Sequence, residues 1–121
     1  HFINHCKEMP LAYSLADVVV SASIEPEAFG RVAVESQSMG KPIVASNIGG
    51  SKETVLNKKS GFLYKHDDPR ELAKNLNTVI QLNQEELKLM GNEGRKNVTK
   101  RFDVDLMCDS NLREYKKLLV K

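Results

Sequence analysis

Residues 17–46 read DVVVSASIEPEAFGRVAVESQSMGKPIVAS. Asp17 to Ser23 is a continuous run rich in β-branched valine, the pattern of a strand buried on both faces, as in a parallel sheet. Pro42 to Ser46 repeats it. Between them, Gly30 to Met39 predicts a helix that ends at Gly40, which permits a left-handed cap, and at Lys41-Pro42, where proline bars continuation. A strand, a helix and a second strand in so few residues make a βαβ unit, whose crossover is right-handed.

The alternation continues outward. Residues 47–57, NIGGSKETVLN, predict a Gly-rich turn into a short helix, and Gly61 to Lys65 a third strand. Asp68-Pro69-Arg70-Glu71 reads as a helix start, with Asp68 as N-cap, Pro69 in the first position and Glu71 reaching back as a capping box. The apolar stripe that follows is Leu72, Leu76, Val79 and Ile80. Asn83 and Glu86 repeat the device for a helix carrying Leu87, Met90 and Val98, and Val104, Met107, Cys108, Leu112, Tyr115 and Leu119 form the stripe of a last one. Toward the start, Pro10 to Ala16 reads as a short helix, and Phe2-Ile3 as the tail of a strand. The fold class expected is α/β, a parallel, Rossmann-like, doubly wound sheet with flanking helices.

At 121 residues, with 40% hydrophobic and 28% charged residues, the chain is ordinary globular material for one domain at most. No apolar run approaches the roughly 20 residues of a membrane span. The net charge of +2 divides unevenly: residues 1–51 carry three Lys/Arg against five Asp/Glu, and the remainder fifteen against eleven. The later basic residues alternate with acids at helical spacing, as on solvated helix faces, so nucleic acid is not an expected partner. Cys6 and Cys108 form no ligand or disulfide pattern, and a reducing, cytoplasmic setting fits them. The chain opens on HFINHC as though partway through an element, which reads as a piece of a longer protein. His1, His5 and His66 stand apart from one another and from other ligand types, so no metal site is expected.

Three carboxylates, Glu25, Glu27 and Glu35, surround the strand-to-helix turn at Phe29, Gly30 and Arg31. In an open α/β sheet, ligands lie at the carboxyl ends of strands, where helix starts present unpaired N–H groups and partial positive charge. Gly30 would let the backbone come close to an anionic ligand such as a diphosphate. Carboxylates suit a different part of a ligand, the adjacent hydroxyls of a sugar. With about 100° per residue, Val32, Ala33, Ser36 and Met39 face the sheet, and Glu35, about two turns into the helix, lies at the margin beside Arg31. One ligand spanning the turn could meet both Glu27 and Glu35. The alternative at this point is a surface ion pair, Arg31 with Glu35 at i,i+4, and a solvated Glu27.

Glu27-Ala-Phe-Gly-Arg-Val-Ala-Val-Glu35 resembles the E-x7-E signature of retaining GT-B glycosyltransferases of the "group 1", or family-four, class. Leu15 to Ser21 resembles the preceding helix-to-strand segment of that family, Gly40 to Ser46 its next strand, and Gly49-Gly50-Ser-Lys-Glu53 its G-G-x-x-E turn. Gly61-Phe-Leu with Asp68-Pro69, and Arg95 to Phe102, resemble later family segments, so the likeness runs through nearly all the chain. The resemblance implies the C-terminal, donor-binding half of such an enzyme, incomplete at its N-terminus, with the N-terminal acceptor domain absent.

It also implies roles. Glu35 would bind the ribose hydroxyls of a nucleotide-sugar donor, a UDP-, GDP- or ADP-sugar, and Glu27 the hydroxyls of the donor sugar. Backbone N–H groups around Phe29, Gly30 and Arg31 would meet the sugar and the diphosphate, and Gly49, Gly50 and Glu53 would form a turn at the donor pocket. Glu25 falls outside the signature. Arg31 departs from the family, which has an apolar residue there. The family's basic pair, which neutralises the leaving diphosphate, belongs to segments upstream of residue 1, so no catalytic residue is assigned here and the isolated chain is expected to be inactive. No cofactor and no metal are implied. The acceptor would be a carbohydrate or lipid-linked acceptor, in cell-surface polysaccharide, lipopolysaccharide or glycolipid synthesis at the cytoplasmic face of a membrane. Two other readings stand beside this one: a non-catalytic remnant of a split or decayed gene, and a related GT-B sugar-nucleotide epimerase or phosphorylase.

Overall fold

The structure, a computed structural model, describes residues 1–119. Its elements run α1 (Met9–Leu15), β1 (Val19–Ser21), α2 (Arg31–Ser38), β2 (Ile43–Ser46), α3 (Ser51–Thr54), β3 (Gly61–Tyr64), α4 (Pro69–Ile80), α5 (Gln84–Arg101) and α6 (Val104–Leu119). The strands pair in parallel in the order β1-β2-β3, with Val20 opposite Val44 and Ala45 opposite Leu63. Parallel neighbours need crossovers. The segments holding α2 and α3 supply them.

The central strand β2 is buried at all four positions. Because side chains alternate along a strand, Ile43 and Ala45 join Ala33 and Val55 on one side, with Val19, Val32 and Leu63 packed against them. Val44 joins Tyr64 and Val79 on the other, with Val18, Phe62, Leu72, Leu76 and Leu87. Each fully buried Ile or Val contributes about 1.5–3 kcal/mol. Helices thus cover both faces of a parallel sheet, the doubly wound α/β arrangement that the sequence predicts. Among the described residues, no helix is long and apolar enough to cross a membrane.

Several local expectations are corrected. Val20 keeps 40% of its surface exposed, so β1 is not buried on both faces. It is an edge strand, shorter than the run from Asp17 to Ser23, and the helices on that side reach Val18 better than Val20. Phe2 and Ile3 are exposed and join no strand. Ile80 is exposed while Val79 is buried, because Leu72, Leu76 and Val79 already fill the α4 face at i, i+4 and i+7 and Ile80 lies about 100° round the helix from Val79. The α6 stripe is spaced as expected, yet no residue of α6 is buried. Its Val104, Met107, Leu112, Tyr115 and Leu119 remain exposed.

The caps divide in the same way. Asp68 Oδ1 accepts from the backbone N–H groups of Arg70 and Glu71, both at 3.0 Å. Glu71 does not close the box; its Oε2 accepts instead from Lys65 N at 2.8 Å and ties the end of β3 to α4. At α5 the box is complete, with Glu86 N donating to Asn83 Oδ1 at 2.9 Å and Asn83 N donating to Glu86 Oε2 at 2.8 Å.

The α2–α5 contact is built from residues that an apolar-stripe reading passes over. Gly91 and Gly94 are buried on α5, together with Asn97 and Val98. Gly94 lies over the side chain of Gln37, which is fully buried on α2 beside Ala33 and Ser36. Gln37 Nε2 donates to Ala33 O at 2.8 Å and to Thr54 O at 3.0 Å, and Asn97 Nδ2 donates to the same Thr54 carbonyl at 2.9 Å. The two amide N–H groups bind α2, α3 and α5 together, while Gln37 Oε1 has no hydrogen-bond partner among the described residues.

Candidate functional site

The loops after β1 and β2 interlock at the carboxyl edge of the sheet. Gly50 N donates to Glu27 O at 2.8 Å. A Cβ on Gly49, which has φ +56°, would lie 2.4 Å from Glu27 O, and one on Gly50 would lie 2.3 Å from Phe29 O. The two glycines are therefore required by backbone meeting backbone. The turn from Gly49 to Gly50 serves as the floor on which the loop from Glu27 to Phe29 rests.

Gly30 is buried, and its φ of +76° is a left-handed conformation that any side chain would strain. It stands as N-cap of α2 without a side chain to bond the first N–H groups, which leaves the positive end of this helix uncapped. Arg31 follows immediately. Glu27, half-buried, accepts at Oε1 from the Ser23 hydroxyl, which holds the carboxylate within the loop.

Glu35 is the fifth residue of α2, little more than one turn in rather than two. Arg31 Nε and Nη2 donate to its Oε1 at 3.0 and 2.7 Å. The ion pair that the spacing allows is thus present. The Arg31 side chain is 83% exposed, so the pair adds only a few tenths of a kcal/mol. The second oxygen has a partner that the sequence did not suggest: Tyr13 of α1 donates its hydroxyl to Glu35 Oε2 at 2.9 Å. Tyr13 is the one buried residue of α1. Lys7, Tyr13, Arg31, Glu35 and Ser38 line a cleft of about 370 Å³ between α1 and α2.

Glu27 and Glu35 share no direct contact; one is held by the loop, the other by α1 and Arg31. They flank the Gly30 turn in sequence, Glu27 before it in the loop and Glu35 after it on α2. A carboxylate has about four acceptor sites, so both retain capacity for hydroxyl donors, with an uncapped helix start between them. Phe29 contributes its backbone to the turn while its ring packs edge-on against Phe102, with centroids 5.5 Å apart and planes at 75°. The Arg101 guanidinium lies 4.8 Å over the Phe102 ring. Glu25 and Glu53 are exposed. His1, His5 and His66 are exposed as well, and no cluster of metal-binding side chains occurs among the described residues.

The one aromatic hydroxyl of α1, in the sequence MPLAYSL, was the signal for Tyr13, since a buried Tyr O–H must find a partner. Burial of the phenol, then its hydrogen bond to Glu35, then the Glu35 charge raise the Tyr13 pKa from its ordinary value near 10 to about 12, with Arg31 opposing. The raised value means that the native state holds this proton more tightly than the unfolded chain. Tyr13 therefore adds stability that is complete below pH ~10 and is lost as pH climbs through about 12. In Glu35→Gln, phenolate absorbance assigned by difference from Tyr13→Phe is expected to rise at lower pH than in the native chain. An unmoved titration would mean that Glu35 has no hold on Tyr13.

Three known proteins are similar to this chain. The crystal structure of the Anabaena protein HepE in complex with UDP-glucose superposes with a TM-score of 0.89 at 30% identity, over 96% of this chain and 32% of that one. A glycosyltransferase from Rickettsia africae gives a TM-score of 0.86 at 37% identity, over 91% of this chain and 29% of its own. The capsular polysaccharide biosynthesis glycosyltransferase CapM of Staphylococcus aureus is 30% identical over 108 residues, 88% of this chain and 28% of CapM. The chain thus spans about a third or less of the length of each. The architecture matches C-terminal domains of GT-B glycosyltransferases. The family model for glycosyl transferases group 1 matches residues 1–97, and the chain belongs to that family.

Proposed function

We propose that the chain is the donor-binding portion of a retaining GT-B glycosyltransferase that moves a sugar from a nucleoside diphosphate sugar to a carbohydrate or lipid-linked acceptor. The observation that carries this reading is the Glu35 carboxylate, held on the wall of the α1–α2 cleft one turn beyond an uncapped helix start. HepE holding UDP-glucose on the same fold supports a nucleotide-sugar as ligand, and CapM supports cell-surface polysaccharide synthesis as the setting.

In this reading Glu35 accepts from the ribose hydroxyls and Glu27 from hydroxyls of the donor sugar, beside the Phe29 and Gly30 backbone. The diphosphate lies against Gly30 and Arg31. As the glycosidic bond breaks, negative charge grows on the departing diphosphate, and the N-terminal dipole of α2 with the Arg31 guanidinium offsets part of it. Holding the sugar by its hydroxyls keeps the anomeric carbon in place for the acceptor. Gly49 and Gly50 support the loop, with Glu53 on the helix that follows. The acceptor site, and the basic pair that completes neutralisation of the diphosphate, belong to an N-terminal half outside these 121 residues, working at the cytoplasmic face of a membrane.

Isothermal titration of the purified chain with UDP, GDP and ADP tests this. At least one nucleotide is expected to bind, UDP foremost, while the chain alone transfers no sugar. Failure of all three to bind would sink the reading, and sugar transfer at an enzyme-like rate would refute the division between two halves.

A further inference from the structure

We infer that Tyr13 is a positioning residue for ribose recognition: its buried hydroxyl fixes Glu35 Oε2 so that the carboxylate faces the cleft in one orientation. The inference rests on the ribose role of Glu35 proposed above. A free glutamate on a helix surface has several staggered rotamers, and ordering such a side chain when a ligand arrives costs affinity. Two donors hold this one, and they are not equivalent. Arg31 reaches Oε1 from a side chain that is 83% exposed, so solvent screens the contact and the guanidinium is free to be displaced. Tyr13 is 5% exposed, comes from a different element, and donates to Oε2 at 2.9 Å.

Two rotatable side-chain torsions and burial of the ring leave the Tyr13 hydroxyl little freedom. With its pKa raised to about 12, the phenol stays a donor throughout the physiological range. A hydrogen bond to Tyr13 occupies one lone pair of Oε2 and points the rest of the carboxylate outward. A ribose diol can then take Oε1 in exchange for Arg31, whose guanidinium is released toward the neighbouring diphosphate. α1 is tied to the body of the fold by this bond and by Lys41 Nζ, which donates to Ser14 O at 3.0 Å. The helix that forms one wall of the cleft thus also sets the acceptor on the opposite wall.

The test compares UDP with a dideoxy analogue of UDP that lacks both ribose hydroxyls, by titration calorimetry on the native chain, Tyr13→Phe and Glu35→Ala. The native chain is expected to prefer UDP, and Glu35→Ala to lose that preference. Tyr13→Phe keeps the ring and its burial, so its affinity for the dideoxy analogue should stay native while its UDP affinity falls by about three- to tenfold. Equal losses for both ligands in Tyr13→Phe would show a displaced α1 wall and overturn the inference, as would an unchanged preference for UDP. Survival of the preference in Glu35→Ala would refute the ribose reading itself, and absence of binding by either nucleotide to the native chain would remove both.

Discussion

Replacing Glu35 by alanine is expected to weaken UDP binding by about ten- to a hundredfold, the 1.5–3 kcal/mol typical of a hydrogen bond to a charged group. The effect is large because truncation removes the acceptor of the ribose hydroxyls and also leaves the Tyr13 hydroxyl, buried against α1 and α2, without its partner. The second loss is conformational and bears on stability, where an unsatisfied buried donor costs about 1–3 kcal/mol. The two are separable. A thermal melt reports the Tyr13 term, and calorimetric titration under conditions where the variant remains folded reports the ribose term. Glu35→Gln should lie between, since the amide keeps one acceptor oxygen and loses the charge. Undiminished UDP affinity in Glu35→Ala would return this residue to a surface ion pair with Arg31.

Gly91→Ala is expected to destabilise the fold by about 1–3 kcal/mol, against the gain of about 1 kcal/mol that alanine ordinarily brings to a helix interior. The sign is reversed by contact. A Cβ on Gly91 would lie 1.9 Å from the Gly40 carbonyl oxygen, which is backbone and cannot rotate aside. α5 would have to move away from α2, loosening the shared hydrogen bonds of Gln37 and Asn97 to Thr54 O. Gly94→Ala is the internal control. Its Cβ would meet Gln37 Cγ at 3.0 Å, a far looser approach than the 1.9 Å at Gly91, so its cost should be smaller. Urea unfolding of both variants measures the difference. A Gly91→Ala chain as stable as the native one would contradict the close approach of α5 to the end of α2. Because α2 carries Glu35, this packing also bears on the site.

Much of the architecture is visible in local patterns. Valine runs, the Gly40-Lys-Pro42 stop and the caps at Asp68 and Asn83 mark elements that the structure contains, since each depends on residues close in sequence. Local patterns mislead where burial depends on what lies opposite. Val20 has the composition of a buried strand and sits at an edge; the α6 stripe has the spacing of a packed helix and remains uncovered; Gln37, polar and fully buried, would pass for a solvated position.

At the site the division is similar. The spacing of Glu27, Gly30, Arg31 and Glu35 around one strand-to-helix turn is a property of the sequence, because a turn and the first five residues of a helix bring them together without help. Glycines 49 and 50 were visible as a turn, but their tight contact with Glu27 and Phe29 was not, since it joins loops about twenty residues apart. The hold of Tyr13 on Glu35 spans 22 residues and two helices, and the edge contact of Phe29 with Phe102 spans most of the chain. By itself, the sequence determined the order of strands and helices and which acids flank the turn, because these follow from short-range sterics, capping and side-chain periodicity. Tertiary structure alone decided which atoms hold those acids, which apolar faces are covered and where only glycine fits, because each depends on how closely distant backbones approach.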